Sequence, residues 1–562
     1  MFIGIDVGGT CTDAVLLDDH GVRATAKATT RPDLLDSLTE ALDRVTAGVS
    51  ADQIERVNLS TTLITNLVAE KKYDRVGLVL IPGPGLNPEA LAFPSPHWFI
   101  PGAIDYRGRE TAPLDTAALS AAAAELRDGG ITRVAVAGKF SNRNNSHELR
   151  ARDLILKVAG GARVELGHQV AGALNFPRRA VTTYLTAATR ERYQYFAEAV
   201  LQALAGRGIT CPVFVLKADG GTCPMAYSVH KPVETLFSGP AASTLGVQAL
   251  TPPGETVVVV DIGGTTTDLA LILGGQPLLS SRGARVDRQL TQVRALAVHS
   301  VPVGGDSAVN RTGREIAISS ERAGAPFCLG GPLPTPTDAL RVLGLTVQGD
   351  EARAFDAMEG VGGPLGLTAV EAARRVQALF VEVVAREITL MFEEWRKEPA
   401  YSVWQIVQKH QGRHLGLQTV VGVGGGAAGF TSQIASAVGC YPVVPPYAPV
   451  ANAIGAAVAR PTMEVSVRAD TEAGYYLVLE EGVRERFPAQ ATEADLMALA
   501  RGWLAERSAR YGLPAASEVV VTRREVFNMI RDWRTTGRLY DLTLSTTGGI
   551  VAYIGAGGDF NA

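Results

Sequence analysis

Short apolar runs ended by glycine or aspartate alternate along this chain with longer stretches whose apolar residues recur every three or four positions. Phe2 to Ile5 reads as a buried strand, Ala14 to Leu17 as its partner, and Asp18-Asp19-His20-Gly21 as a turn returning the chain through Val22 to Ala28. The same order recurs at Val257 to Val260 and Leu269 to Leu273, with Gly274-Gly275-Gln276-Pro277 turning the chain toward Leu278. Between the copies the period switches repeatedly. Leu114 to Asp128 and His147 to Ala159 read as helices around a strand at Val134 to Ala137, and Pro177 to Ala205 reads as a long helix ended by Gly206 and Gly208. Alternation of this kind predicts α/β layers around a sheet.

A second long helix has the clearest signature. Thr368 and Glu371 have capping-box spacing, and Val376, Phe380, Val384, Ile388, Met391 and Trp395 recur on one face. About 28 residues would make a rod of roughly 42 Å, a packing element. A strand at Thr419 to Val423 then runs into Gly424, Gly425 and Gly426, and a small-residue helix spans Asn452 to Ala459 before a boundary at Pro461. Beyond it, short strand-like runs such as Val519 to Val521 and Tyr540 to Leu544 alternate with one helix near Glu493 to Tyr511, and predict a small α+β region.

With 562 residues, 46% hydrophobic and 20% charged, the chain is globular and too long for one core. The formal charge of -4 argues against a nucleic-acid partner. No basic-apolar leader opens the sequence and no apolar run reaches the ~18 residues of a membrane span, so a cytoplasmic location is expected. The five cysteines form no C-x-x-C pair, which predicts reduced thiols; Cys11, inside the first glycine loop, is the one placed near candidate chemistry.

That chemistry lies in the repeated turn. Asp6 to Asp13 and Asp261 to Asp268 match at six of eight positions, each following an apolar strand. Asp-x-Gly-Gly-Thr puts a carboxylate at a strand end, leaves backbone amides unshielded by any Cβ, and adds hydroxyl donors. Aspartates would repel bare phosphate, so a divalent metal with nucleotide phosphates is the economical reading, and Mg²⁺ (or Mn²⁺) suits hard oxygen ligands. Asp6 and Asp261 are the expected metal-organising and catalytic residues, with Gly8, Gly9, Thr10, Thr12, Gly263, Gly264, Thr265 and Thr266 contacting phosphate. Gly424, Gly425 and Gly426 have the character of a close-approach surface for a base or ribose. Asp13 and Asp268 are expected to brace their own hairpins. Asp306, in Val301 to Arg311 and preceded by Gly304 and Gly305, is a third catalytic candidate; its alternatives are substrate or metal contact, or an ion pair with an arginine such as Arg311. His299 is expected to be structural.

Two Asp-Gly-Gly-Thr loops and a later glycine turn resemble the actin, sugar-kinase and heat-shock-chaperone type ATPases. The resemblance implies two actin-like, ribonuclease H-like α/β domains with a nucleotide cleft between them, ATP as cofactor, and Asn452 to Ala459 as the second connecting helix. The expected division is 1–180, 181–461 and a C-terminal α+β region at 462–562. "STTLITNLVAEKK", "FSNRNNSHELRARDLI", "LKADGG", "KPVETLFSGPAAS", "DIGGTTTD" and "AGAPFCLGGPLPTPTDALRVLG" resemble blocks of the hydantoinase and oxoprolinase A subunits. Leu59-Ser60-Thr61-Thr62 stands where longer members often show His-Gly-Thr-Thr, and Gly304-Gly305-Asp306-Ser307 where they show Gly-Gly-Gly-Ser.

The resemblance implies an ATP-dependent hydrolase of a cyclic amide or imide, acting through phosphorylation of a carbonyl oxygen on a small-molecule substrate. An ATP-dependent carboxylase subunit acting on a ketone and a non-catalytic nucleotide switch are the alternatives. A B-type partner subunit is implied, and a homodimer is a further expectation.

Overall fold

The computed structural model describes residues 1–31, 33–87, 91–410, 417–513, 518–555 and 560–561. Its first layer is a six-stranded sheet in the order Thr222–Pro224, Val213–Leu216, Arg56–Thr61, Phe2–Val7, Cys11–Asp18, Gly21–Thr29. Phe2–Val7 pairs antiparallel with Cys11–Asp18 and parallel with Arg56–Thr61, which is parallel to Val213–Leu216. The second layer repeats this plan. Val257–Ile262 pairs antiparallel with Thr267–Leu273 and parallel with Thr419–Val423, which is parallel to Tyr441–Val443. Two sheets with the same hairpin-then-parallel order make a pair of actin-like, ribonuclease H-like domains.

Three corrections of extent accompany this match. The expected division at residue 180 falls inside the helix Phe176–Ala205, and strands from 213 to 224 join the first sheet, because Val213–Leu216 pairs with Arg56–Thr61 and Thr222–Pro224 with Val213–Leu216. The first domain also carries a parallel four-stranded sheet, ordered Arg163–Leu166, Arg133–Gly138, Val76–Ile81, His97–Phe99, flanked by helices Thr116–Asp128 and Ser146–Val158. In the C-terminal region, the short run at Val519 extends to a 13-residue strand, Val519–Arg531, paired with Arg534–Thr546 in an antiparallel five-stranded sheet.

The long helix forms at Ala369–Trp395 with both capping-box bonds present, the Thr368 amide donating to Glu371 Oε2 at 2.8 Å. Its buried face is the expected one, Val376, Phe380, Val384, Ile388, Met391 and Trp395, and Phe380 stacks on Phe430 below the second sheet. Among the described residues no helix is long and apolar enough to cross a membrane.

The two layers share a wall made of two small-residue helices, Ser238–Leu250 and Ala451–Val458. One part of that wall packs with Val15 and Leu17 of the first sheet and another with Val257 and Val421 of the second. The helices cross glycine to backbone: a Cβ on Gly455 would lie 1.9 Å from the Ala242 carbonyl oxygen, and one on Gly246 would lie 2.1 Å from that of Ala451. No side chain fits there, so overpacking must separate the helices. Gly455→Val is expected to cost about 3 kcal/mol or more. Gly360→Ala, on an exposed helix position with open space around it, is expected to gain about 0.5–1 kcal/mol. Denaturant midpoints of the two variants check both; a Gly455→Val protein melting with wild type would contradict the crossing.

Candidate site between the two repeated loops

The seven-residue spacing inside each octet has a structural consequence. Each hairpin brings its own first and last aspartates opposite one another, Asp6 across from Asp13 and Asp261 across from Asp268. Four carboxylates therefore line two equivalent hairpins. The turns close alike, with the Gly8 amide donating to Cys11 O at 3.1 Å and the Gly263 amide to Thr266 O at 3.0 Å.

The loops face each other. A Cβ on Gly264 would lie 3.0 Å from Thr10 Oγ1 and 2.6 Å from Asp306 Oδ2. Asp6 and Asp261 come together more closely still, since Asn452 Nδ2 donates to Asp6 Oδ2 at 3.3 Å and to Asp261 Oδ2 at 3.1 Å. Asn452 sits in the first turn of Ala451–Val458, so the shared wall carries the bridge. Ser60, the last-but-one residue of the neighbouring parallel strand, donates to Asp6 Oδ1 at 2.5 Å. Gly424 to Gly426 lie beside the second loop: the Gly426 amide donates to Ile262 O at 3.3 Å, and Gly424, at φ +84°, passes where a Cβ would come within 2.6 Å of Asp261 Oδ1. Gly9, Gly263, Thr265 and Gly425 are exposed on this side.

Burial holds these carboxyls above their ordinary range. It pushes Asp6 up to about 7, helped by the charges of Asp13 and Asp261 and opposed by the Ser60 and Asn452 hydrogen bonds. Asp261 is raised by burial against hydrogen bonds from Asn452 and Ser243. Asp268 reaches about 7 through burial and the charge of Asp261, opposed by Ser300. Asp13 is raised by burial but opposed by Lys27, whose ammonium lies 2.7 Å away. The strand register explains the difference between the halves: Lys27 stands opposite Asp13, whereas Ser300 stands opposite Asp268.

Three sequence expectations need correction. Thr12 is fully buried in Cys11–Asp18, so its hydroxyl is not on the open side; its equivalent, Thr267, donates to Val303 O at 2.8 Å. Gly8 and Gly263 spend their amides inside their own turns. Asp306 pairs with Arg322, at 3.0 Å, rather than with Arg311, because the following hairpin sets Ser307 opposite Arg322 and carries Arg311 out to Gly313 O. Asp306 nevertheless borders the site, its amide donating to Gly264 O at 2.7 Å. His299 pairs with Glu387 at 3.1 Å. Cys11 is a half-buried thiol raised by burial, with Lys27 opposing.

Asn452, Ser60, Lys27 and Arg322 were not singled out from sequence. Each enters by strand register or helix placement; the visible signals were the polar Asn452 opening an otherwise apolar helix and Ser60 at a strand's end.

Among the described residues, no group of three or more His, Cys, Asp or Glu is placed to hold a metal by itself. The residues do fit a cation that keeps most of its own waters. Asp6 and Asp261 are buried, share one neutral donor and have no ion pair among the described residues, and Asp268 Oδ1 is buried without a donor there. Unmatched buried negative charge of this kind is what Mg²⁺ relieves with one or two carboxylates.

Two family descriptions match: hydantoinase/oxoprolinase over residues 179–465, and hydantoinase/oxoprolinase N-terminal region over residues 2–159. The chain is 29% identical over 417 residues to caprolactamase subunit alpha of Pseudomonas jessenii, covering 66% of this chain and 60% of that relative's length. A nucleotide-free acetone carboxylase structure, from work on ATP-dependent acetone carboxylation, superposes with a TM-score of 0.72 at 19% identity, covering 98% of this chain and 87% of the other. An ATP-dependent caprolactamase from Pseudomonas jessenii superposes with a TM-score of 0.65 at 21% identity, covering 97% and 87%.

The electrostatics give a signed pH dependence. Asp6 and Asp268 titrate near 7 when folded and from 3.8 when unfolded, so the folded chain binds more protons between those values. Their stability contribution is present below about pH 4 and is lost as pH rises through about 7. The metal-free, nucleotide-free protein should therefore lose melting temperature between about pH 5.5 and about pH 8, and Asp6→Asn should shrink that loss. Scanning calorimetry across the window checks this; an unchanged pH slope in the variant would contradict the assignment.

Proposed function

This chain belongs to the hydantoinase/oxoprolinase family, and on that premise we propose that it is an ATP-dependent hydrolase of a cyclic amide or imide. The observation that carries the reading is the pair of facing Asp-Gly-Gly-Thr loops whose buried aspartates meet at Asn452. The ATP dependence of the similar caprolactamase and of acetone carboxylation supports the same cofactor here.

An unstrained amide is a poor electrophile, and ATP, when bound, supplies a phosphoryl group that turns its oxygen into a leaving group. Phosphoryl transfer asks the protein mainly for position and charge neutralisation. The amides of Gly9, Thr10, Gly264 and Thr265, beyond the two that close the turns, would contact phosphate oxygens, with the hydroxyls of Thr10, Thr265 and Thr266 adding donors. Asp6 and Asp261 would hold Mg²⁺. Asn452 keeps the two carboxylates at a fixed separation before any ligand arrives. Gly424 to Gly426 would lie against the nucleoside, since Gly425 has open space beside it and the loop abuts Asp261. Asp306, held by Arg322, would brace the second loop through Gly264.

A second reading, a carboxylase subunit acting on a ketone, is favoured by the fold likeness to acetone carboxylase. The caprolactamase relative carries the name of a subunit, which supports a partner chain for this protein as well.

ADP release against a panel of cyclic amides, imides and ketones, with and without bicarbonate, separates the two. Bicarbonate-independent release with an amide or imide is the expected result, and release that requires bicarbonate supports the carboxylase. Asp261→Asn is expected to lower the stimulated rate by ~10²- to 10³-fold while the protein still melts cooperatively. A rate within a few-fold of wild type would remove Asp261 from the chemistry.

A further inference from the structure

A second chamber lies away from the loops. Its cavity, about 530 Å³, is walled by residues 217–234, by residues 279–295 from the second half, and by residues 462–480 of the C-terminal region. None of the residues of the two Asp-Gly-Gly-Thr loops lines it. Lys217 follows strand Val213–Leu216, whose carboxyl end shares a sheet edge with that of Phe2–Val7. Leu216 packs with the two helices of the shared wall, so Lys217, the next residue, turns toward the other face. Ligands collect at such carboxyl edges and at domain junctions.

The charges in this chamber are partly buried and incompletely spent. The Lys217 ammonium, its side chain 14% exposed, has one carboxylate partner, Asp219, at 3.5 Å. Lys231, 15% exposed, has one at 3.8 Å, Glu234, and lies 5.7 Å from the centre of the buried Tyr227 ring. An ammonium has three donors, so most of theirs are unused at normal hydrogen-bond distance. On the C-terminal wall Glu480 accepts from the Ser466 amide at 2.9 Å and pairs with no cation among the described residues. Thr462, only 7% exposed, has a buried hydroxyl with no hydrogen-bond partner. Buried donors and acceptors of both signs facing one polar cavity need matching groups.

We propose that this chamber binds a small zwitterion, its carboxylate held by Lys217 and Lys231 and its ammonium by Glu480. Cations with spare donors on one wall and a carboxylate without an ion pair among the described residues on another select a ligand carrying both charges over a simple anion or a simple cation. The site is separate from the aspartate loops and does not depend on the ATP reading.

Calorimetric titration of the full-length protein with glycine, 4-aminobutyrate and L-glutamine tests it, with succinate and 1,4-diaminobutane as single-sign probes. At least one zwitterion should bind more tightly than either single-sign probe, and a saturating non-hydrolysable ATP analogue should leave that binding in place. Lys231→Met should weaken it ~10- to 100-fold. Glu480→Gln should weaken the zwitterion while leaving succinate unchanged, a split that a merely unfolded variant would not give. The proposal is overturned if no zwitterion binds by about 10 mM, if a single-sign probe binds best, if the nucleotide analogue displaces the ligand, or if neither substitution changes the affinity. Since no turnover is measured, failure here leaves the amide-hydrolase reading to its own assay.

Discussion

Two buried carboxylates from different halves of the chain share one amide nitrogen, and the rest of the architecture serves that meeting. Asp6 and Asp261 each stand last but one in a central strand of their own sheet, and Asn452 reaches both from the helix between the sheets. At the separation that two hydrogen bonds permit, two full charges would repel by about 2–3 kcal/mol at an effective dielectric near 20. A neutral amide offsets part of this with its donors but brings no charge. Burial adds to this cost and is the main reason that both carboxyls are raised, with the charge of Asp261 a smaller contribution at Asp6.

The duplicated halves do not share the cost equally. In the first, the third strand of the sheet supplies Lys27 opposite Asp13, so that hairpin neutralises one of its own carboxylates. In the second, the equivalent edge is the short strand His299–Val301, and Ser300 offers only a hydroxyl to Asp268. Four carboxylates with one lysine leave the surplus negative charge on the side of the second loop. Arg322 is nearby, but Asp306 takes it. A repeat that is symmetric in backbone is thus asymmetric in charge, as suits a site whose two ends hold different parts of a ligand.

The fold was largely legible in the chain because the informative signals are local. The Asp-x-Gly-Gly-Thr spacing sets the hairpins, and the capping box with a one-sided apolar stripe sets the helix Ala369–Trp395. The site was legible only as far as strand ends. Asn452 depends on how a helix near residue 450 lies against strands more than 180 residues away, and no periodicity carries that. The choice of Arg322 over Arg311 depends on a hairpin register that includes a bulge between Ser307 and Val309. Thr12 was misplaced because alternation along a strand assigns its face only once the neighbouring layers are known. The strand Val519–Arg531 was underestimated for the opposite reason: most of its residues are exposed, including Phe527 and Ile530, so the buried-face alternation that marks a strand is missing.

The wall that carries Asn452 also limits how the site can respond to a ligand. Ser238–Leu250 and Ala451–Val458 approach until only hydrogen atoms fit between Gly455 and the Ala242 carbonyl, and between Gly246 and Ala451. Interfaces packed this tightly do not deform continuously. The distance between Asp6 and Asp261 is consequently fixed by the crossing, not by the loops that bear them. Ligand-driven adjustment falls on the exposed glycine turns at Gly9 and Gly425, since the Gly263 amide and carbonyl are both held by hydrogen bonds. Electrostatic preorganisation asks for charge and donors set before the reaction, and the rigid wall sets the two carboxylates in that way.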